Sequence, residues 1–265
     1  MDQITAITLT GDRLLAFALC QNWMSRQTVS PDQWIIVDDG KVPCQWLEQK
    51  SWKSDGIMNY VRREPMLDDP KPTLHINFWC ALSLIKGSKI IIIEDDEYYA
   101  PSYMEEMSCR LDRYEVVGIM KSKYYNMASG GYCTNTNVAR ASLAETAFRS
   151  SFLPEFGRLL RNGIVGLSEL PAIDRTWLDV LIWKLMRESP ADRGFLFIDT
   201  NRPLYLGVKG LPGRPGLVGH GGYPYRSFDT LDRKVLKQWV PEDYQIYLDI
   251  LNGKLTEETY QSYFQ

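Results

Sequence analysis

Four consecutive carboxylates, Glu94-Asp95-Asp96-Glu97, close an isoleucine-rich segment at 89–93. Adjacent acids repel one another unless a cation or a raised pKa relieves them. Alternate side chains at a strand end share a face, so Glu94 and Asp96 point together into any crevice beyond it. Ligands that are all oxygen suit Mg2+ or Mn2+, and Mg2+ typically takes one or two carboxylates plus substrate phosphates. The competing reading is an acidic turn capping a helix that starts at Pro101.

His220 lies in Gly219-His220-Gly221-Gly222, at the end of a segment, 209–222, with six glycines and two prolines in fourteen residues. That composition makes a loop. A lone histidine there is a surface residue; combined with a distant acidic cluster it becomes a metal ligand delivered by a closing loop. The other histidine, His75, sits beside Phe78 and Trp79 and reads as a core residue. Thr176-Trp177-Leu178-Asp179 has the spacing of a capping box, so Asp179 either satisfies backbone donors or offers a catalytic carboxylate. Asp174 competes for the catalytic role if the helix begins earlier, and Trp177 is either core, the preferred reading, or an acceptor platform. Ser129-Gly130-Gly131 is either a plain hairpin or a backbone that approaches a ligand closely.

These residues need a frame to position them. Apolar runs at 4–9, 33–37 and 89–93 read as strands, with a weaker one at 55–61. Helical stretches at 12–27, 72–86 and 101–113 fall between or after them. Alternation at this spacing predicts an α/β fold with a mostly parallel sheet wound by right-handed crossovers. The second half predicts short strands at 115–120, 124–127 and 131–134. Helices follow at 142–161, broken at Pro154, and at 176–188, with late strands at 194–199 and 204–208 and a helical tail from 231. Ligands of such sheets bind beyond the strands' carboxyl ends. There the chain places Thr8-Leu9-Thr10-Gly11-Asp12-Arg13, Asp38-Asp39-Gly40 and the acidic run. Arg13 is either a surface charge or a pyrophosphate partner.

The chain has 265 residues, 45% hydrophobic and 24% charged, which fits one globular domain and excludes a disordered or fibrous protein. No apolar run reaches the roughly 20 residues of a spanning helix, and the N-terminus carries no signal-peptide pattern, so a cytoplasmic protein is expected. Five cysteines without a C-x-x-C predict free thiols. The net charge of −3 excludes a globally basic nucleic-acid binder. Residues 201–240 nevertheless carry seven bases and two acids, either a solvated face or a seat for phosphates.

The ordered set of TxTGDR, VDDG, a hydrophobic strand ending in EDD, a W-x-D segment and a glycine-rich HG loop resembles the GT-A fold of nucleotide-sugar-dependent glycosyltransferases. Asp38-Asp39-Gly40 is similar to the VDDG signature of family 2 enzymes, and Glu94-Asp95-Asp96 to the EDD form of the DxD motif. The resemblance covers about residues 4–222 through short motifs. It implies Mn2+ or Mg2+ on Asp96 and His220, and a base at Asp179. For the nucleotide sugar, a UDP-sugar in this reading, the expected contacts are Thr8, Thr10, Gly11, Arg13, Asp38, Asp39, Asp95, Gly130 and Gly131. Residues 1–113 would form the nucleotide-sugar half of a single domain and 114–265 the acceptor half. The chain departs from the family in lacking the DGSxD continuation and the ED dipeptide before the base helix.

The expected reaction is metal-dependent transfer of a sugar to an acceptor hydroxyl with inversion. A hydroxymethylated base in phage DNA is one candidate acceptor, which would place the protein in the host cytoplasm. Alternatives are a nucleotidyltransferase and a non-catalytic sugar- or nucleic-acid-binding module. A nucleotidyltransferase should carry a glycine-rich basic signature after the first strand, where this chain has one glycine. No G-x-G-x-x-G follows that strand, which argues against a dinucleotide oxidoreductase.

Overall fold

The computed structural model describes residues 2–44, 47, 57–70, 72–169, 177–199, 202–211, 225 and 227–263. The strongest apolar runs become strands buried on both faces. β1 (Ile4–Thr10) lies between β2 (Gln33–Asp38) and β4 (Lys89–Ile92), parallel to each. β3 (Met58–Arg62) pairs in parallel with β2 on the outer side. On the far side of β4 come β9 (Thr146–Arg149), β6 (Val116–Met120) and β10 (Gly194–Ile198). Among the described residues this gives a seven-stranded sheet ordered β10-β6-β9-β4-β1-β2-β3, in which β9 alone runs against its neighbours. The mixed α/β architecture with a mostly parallel central sheet is the one the sequence predicts.

Helices cover both faces. α1 (Leu14–Ser25) and α3 (Tyr103–Leu111) pack on one side. On the other lie α2 (Leu74–Leu82), α4 (Leu153–Glu169) and α5 (Leu178–Arg187). The isoleucines at 90–93 divide between these layers by strand alternation: Ile91 and Ile93 join the first core, Ile90 and Ile92 the second. Burying one such side chain contributes about 1.5–3 kcal/mol, which makes β4 a rigid post for the acids that follow it.

A second sheet has the order β12-β8-β7-β11-β5. Its strands are β5 (Tyr98–Tyr99), β7 (Lys123–Asn126), β8 (Gly131–Thr134), β11 (Tyr205–Lys209) and β12 (Ser227–Phe228). β5 starts directly after Glu97, so the four acids occupy the turn that joins the two sheets. The tail forms α6 (Lys234–Trp239), α7 (Tyr244–Leu251) and α8 (Tyr260–Tyr263), and Tyr247 packs against Trp23 and Tyr98.

Two expectations change. The stretch read as helical over 142–161, with a break at Pro154, is instead two short 3-10 turns around β9, followed by α4. The reason is packing: Phe148 fills the sheet between β4 and β6 and packs edge-on against Phe152 and at a tilt against Phe156, ring centroids 5.5 and 4.8 Å away. Pro154 does not break a helix. It sits in the first turn of α4, where no backbone N–H is required. Trp177, read as core, is the residue before α5 and is 52% exposed. His75 is buried as expected, all five cysteines are free, and no described helix is long and apolar enough to cross a membrane.

Candidate active site

The carboxyl ends of β1 and β2 meet at near-contact. A β-carbon on Gly11 would fall 2.4 Å from Asp39 Oδ1 and 2.9 Å from the Gly40 amide nitrogen, so only glycine lets the two loops pack this way. Asp12 takes a left-handed conformation, φ 53°, and its Oδ1 accepts the Lys41 amide at 2.9 Å. The buried Asp38 carboxylate accepts the amides of Gly40 (2.8 Å) and Cys44 (3.0 Å) and the Tyr60 hydroxyl (2.7 Å). Asp39 accepts Thr73 Oγ1 at 2.5 Å and Arg63 Nη2 at 3.2 Å. Burial would raise its pKa, but bonds from Thr73, Asn77 and Arg63 outweigh burial and hold it below the usual value. Between these loops opens a cavity of about 250 Å³, whose lining includes Thr10, Gly11, Arg13, Phe17, Asp38 and Glu257.

One arginine joins this cavity to the acidic turn. Arg13, immediately before α1, places Nη1 3.0 Å from Asp95 Oδ1 and 2.8 Å from Asp96 Oδ2. Thr10 Oγ1 donates to Asp95 Oδ2 at 2.7 Å. On the opposite side Glu97 accepts the Val208 amide at 2.5 Å and pairs with the Lys209 ammonium, both from β11. Burial opposes the charge on Lys209, yet Glu97 and Asp96 hold the ammonium above its ordinary range. Burial pushes Glu97 up to about 7 against the pull of Lys209. It raises Glu94 as well, with Asp96 and Glu97 adding repulsion. One carboxylate oxygen each of Glu94, Asp96 and Glu97 lies within 4.8 Å of the others. Hard oxygen donors at that separation fit a divalent cation of the Mg2+ or Mn2+ class.

The remaining expected residues scatter. Thr8 is fully buried one pleat deeper on the same face as Thr10, and its hydroxyl accepts the Trp34 indole N–H at 2.9 Å, so it stays in the core short of the cavity. Gly130 (φ 70°) and Gly131 belong to the β7–β8 hairpin, where Arg233 Nη1 and the Tyr225 ring occupy the space of their missing side chains. Asp179 is in the first turn of α5, ion-paired with Arg140. That helix precedes β10, which is parallel to β6, so its N-terminus lies toward the sheet's carboxyl edge. Burial raises the pKa of Asp179 although Arg140 opposes the shift. Asp174 and His220 lie outside the described residues. The described bases of the 201–240 stretch are engaged internally: Arg202 with Glu242, Lys209 with Glu97, Arg233 with Tyr125, Lys234 with Asp232, and Lys237 over the Tyr244 ring.

Sequence reasoning missed Lys209, Tyr60 and Glu145. The need for a counter-charge was legible in the four acids, but its source lies 112 residues away from Glu97. Glu145, fully buried where β9 begins, accepts the Ser142 hydroxyl at 2.7 Å in a capping box.

No protein-family model matches the chain, and no curated protein matches it. Solved structures do match. S. aureus TarS is 13% identical with a TM-score of 0.53, covering 78% of this chain and 36% of that one. TarS 1–349 in complex with UDP-GlcNAc is 14% identical with a TM-score of 0.53, covering 97% and 72%. Mannosyltransferase PcManGT from Pyrobaculum calidifontis, in complex with GDP-Man and Mn2+, is 13% identical with a TM-score of 0.50, covering 80% and 57%. The fold is therefore of the GT-A type. This chain spans about a third of the TarS chain and just over half of the mannosyltransferase.

Glu145 generates a stability prediction. Burial pushes its pKa from an ordinary 4.5 up to about 8. A raised folded-state pKa gives a contribution that is complete below 4.5 and disappears as pH rises through about 8. Glu145→Gln mimics the protonated form. Its melting temperature relative to wild type should therefore climb steadily from pH 5 to pH 8 and level off above; a pH-independent difference would mean Glu145 is ionised throughout.

Proposed function

We propose that the protein is a divalent-metal-dependent glycosyltransferase that moves a sugar from a nucleoside diphosphate donor, in the first instance a UDP-sugar, to an acceptor hydroxyl with inversion. The observation that carries this reading is the bridge made by Arg13, a residue that lines the cavity at the ends of β1 and β2 and whose guanidinium contacts Asp95 and Asp96. A nucleoside in that cavity would direct its diphosphate along Arg13 toward the acidic turn. The ligands carried by TarS and PcManGT, UDP-GlcNAc in one and GDP-Man with Mn2+ in the other, support the donor class on the same fold.

In this reading Asp38 acts through the loop it shapes, leaving Thr10, Gly11 and the 41–44 backbone to face the nucleoside. Asp96 and Glu94 would hold the cation, and His220 would complete its shell. When bound, the cation neutralises charge developing on the departing nucleoside diphosphate. Asp179 is the proposed base, taking the acceptor proton as the hydroxyl oxygen attacks the anomeric carbon; burial favours proton uptake by raising its pKa. Asp174 is the alternative base. No described contact singles out a hydroxymethylated DNA base, and the acceptor is proposed only as a hydroxyl group.

Asp96→Ala should abolish Mn2+-dependent binding of UDP, measured calorimetrically, while circular dichroism stays native, because Asp96 is partly exposed and supports no core. Unchanged Mn2+ dependence would remove Asp96 from the metal site. Asp179→Asn should lower kcat by roughly 10² or more with little change in donor affinity. Near-normal turnover in that variant, with a collapse in Asp174→Asn, would transfer the role.

A further inference from the structure

The acidic turn holds two resident cations, and they differ in kind. Lys209, 14% exposed, is anchored through the main chain: its ammonium pairs with Glu97, and the adjacent Val208 amide binds the same carboxylate. Arg13 is 23% exposed, lines the open cavity, and reaches Asp95 and Asp96 with a single nitrogen, Nη1. Asp95 has a second partner in Thr10 and keeps it if Arg13 moves. For Asp96, by contrast, Arg13 is the cation at hand, and Asp96 belongs to the three carboxylates close enough to share one ion. A divalent ion arriving at Asp96 meets a guanidinium 2.8 Å from one of the carboxylate's two oxygens, Oδ2.

Resting on the proposed function, we infer that Arg13 is an exchangeable counter-ion that makes metal and nucleoside diphosphate bind cooperatively. In the empty site Arg13 occupies Asp96 and keeps metal affinity low. When a nucleoside diphosphate enters the cavity, the guanidinium turns to its phosphate oxygens, a pairing for which its planar donor fork is well suited. Asp96 is then released to the cation. Lys209 remains in place and holds the turn in position throughout. The exchange is a coupling free energy, so each ligand must raise the other's affinity by the same factor.

The test is Mn2+ binding to the full chain, read from the electron paramagnetic resonance signal of free Mn2+, with and without saturating UDP, for wild type and Arg13→Gln. In wild type, UDP should tighten Mn2+ by about tenfold, within the usual range of such couplings. In Arg13→Gln, Mn2+ alone should bind about fivefold tighter than in wild type, UDP about tenfold weaker, and the coupling should fall to about twofold or less. A merely structural arginine predicts the opposite sign, with weaker Mn2+ binding in the variant. That result, or an undiminished coupling, overturns the inference while leaving the metal-dependent donor site standing. If wild type binds no Mn2+ even with UDP, the proposed function fails, and the inference with it. Arg13→Lys keeps the charge without the fork: it should restore weak binding of Mn2+ alone but not the UDP affinity, and a lysine variant with tight Mn2+ binding would contradict the exchange.

Discussion

Charge compensation at the end of β4 governs the arrangement of the molecule around it. A strand buried on both faces delivers four carboxylates into a turn between two sheets, where water alone cannot solvate them all. Unpaired, such charges would cost several kcal/mol each. Two long-range ion pairs meet the demand from opposite sides, Arg13 from the start of α1 and Lys209 from the end of β11. Each pair also ties an element to the turn, so the electrostatic requirement fixes both the first loop and the second sheet relative to β4.

The nucleotide side of the crevice depends on a different kind of constraint. Gly11 and Gly40 bring two loop backbones into contact, and Asp38 and Asp39 spend their oxygens on amides, hydroxyls and an arginine. These contacts shape the wall of the crevice, and Asp38 lines the cavity itself. Arg13 is the one base among the described residues lining the cavity, and it joins that cavity to the acidic turn. A diphosphate placed there would lie between a guanidinium and a cation held by Asp96, the electrostatic arrangement that a leaving nucleoside diphosphate requires.

Much of this was legible in the sequence where one element sufficed. β1, β2 and β4 announce themselves because strands buried on both faces read as continuous apolar runs. Thr10, Arg13, Asp95 and Asp96 follow, since strand ends in a parallel sheet face the ligand. What stayed hidden depends on partners far apart in the chain. β9 is four residues inserted antiparallel between β4 and β6, and its Thr146-Ala147-Phe148-Arg149 carries no period of its own. Thr8 sits two residues from Thr10 on a strand buried on both faces, and only the pairing with Trp34 shows that its hydroxyl is consumed. Lys209 reads as one more base in a positive stretch until β11 pairs with β5 and brings it to Glu97.

The proposed role of the crevice beyond β1, β2 and β4 is to activate a nucleoside diphosphate sugar. The most direct test is donor hydrolysis without an acceptor, following nucleoside diphosphate release from a panel of UDP- and GDP-sugars with Mn2+ and with chelator. Slow Mn2+-dependent release from at least one donor, suppressed by EDTA, is the expected result. Binding of several donors with no release from any, in Mn2+ or Mg2+, would contradict it and leave a sugar-nucleotide-binding module on the same fold.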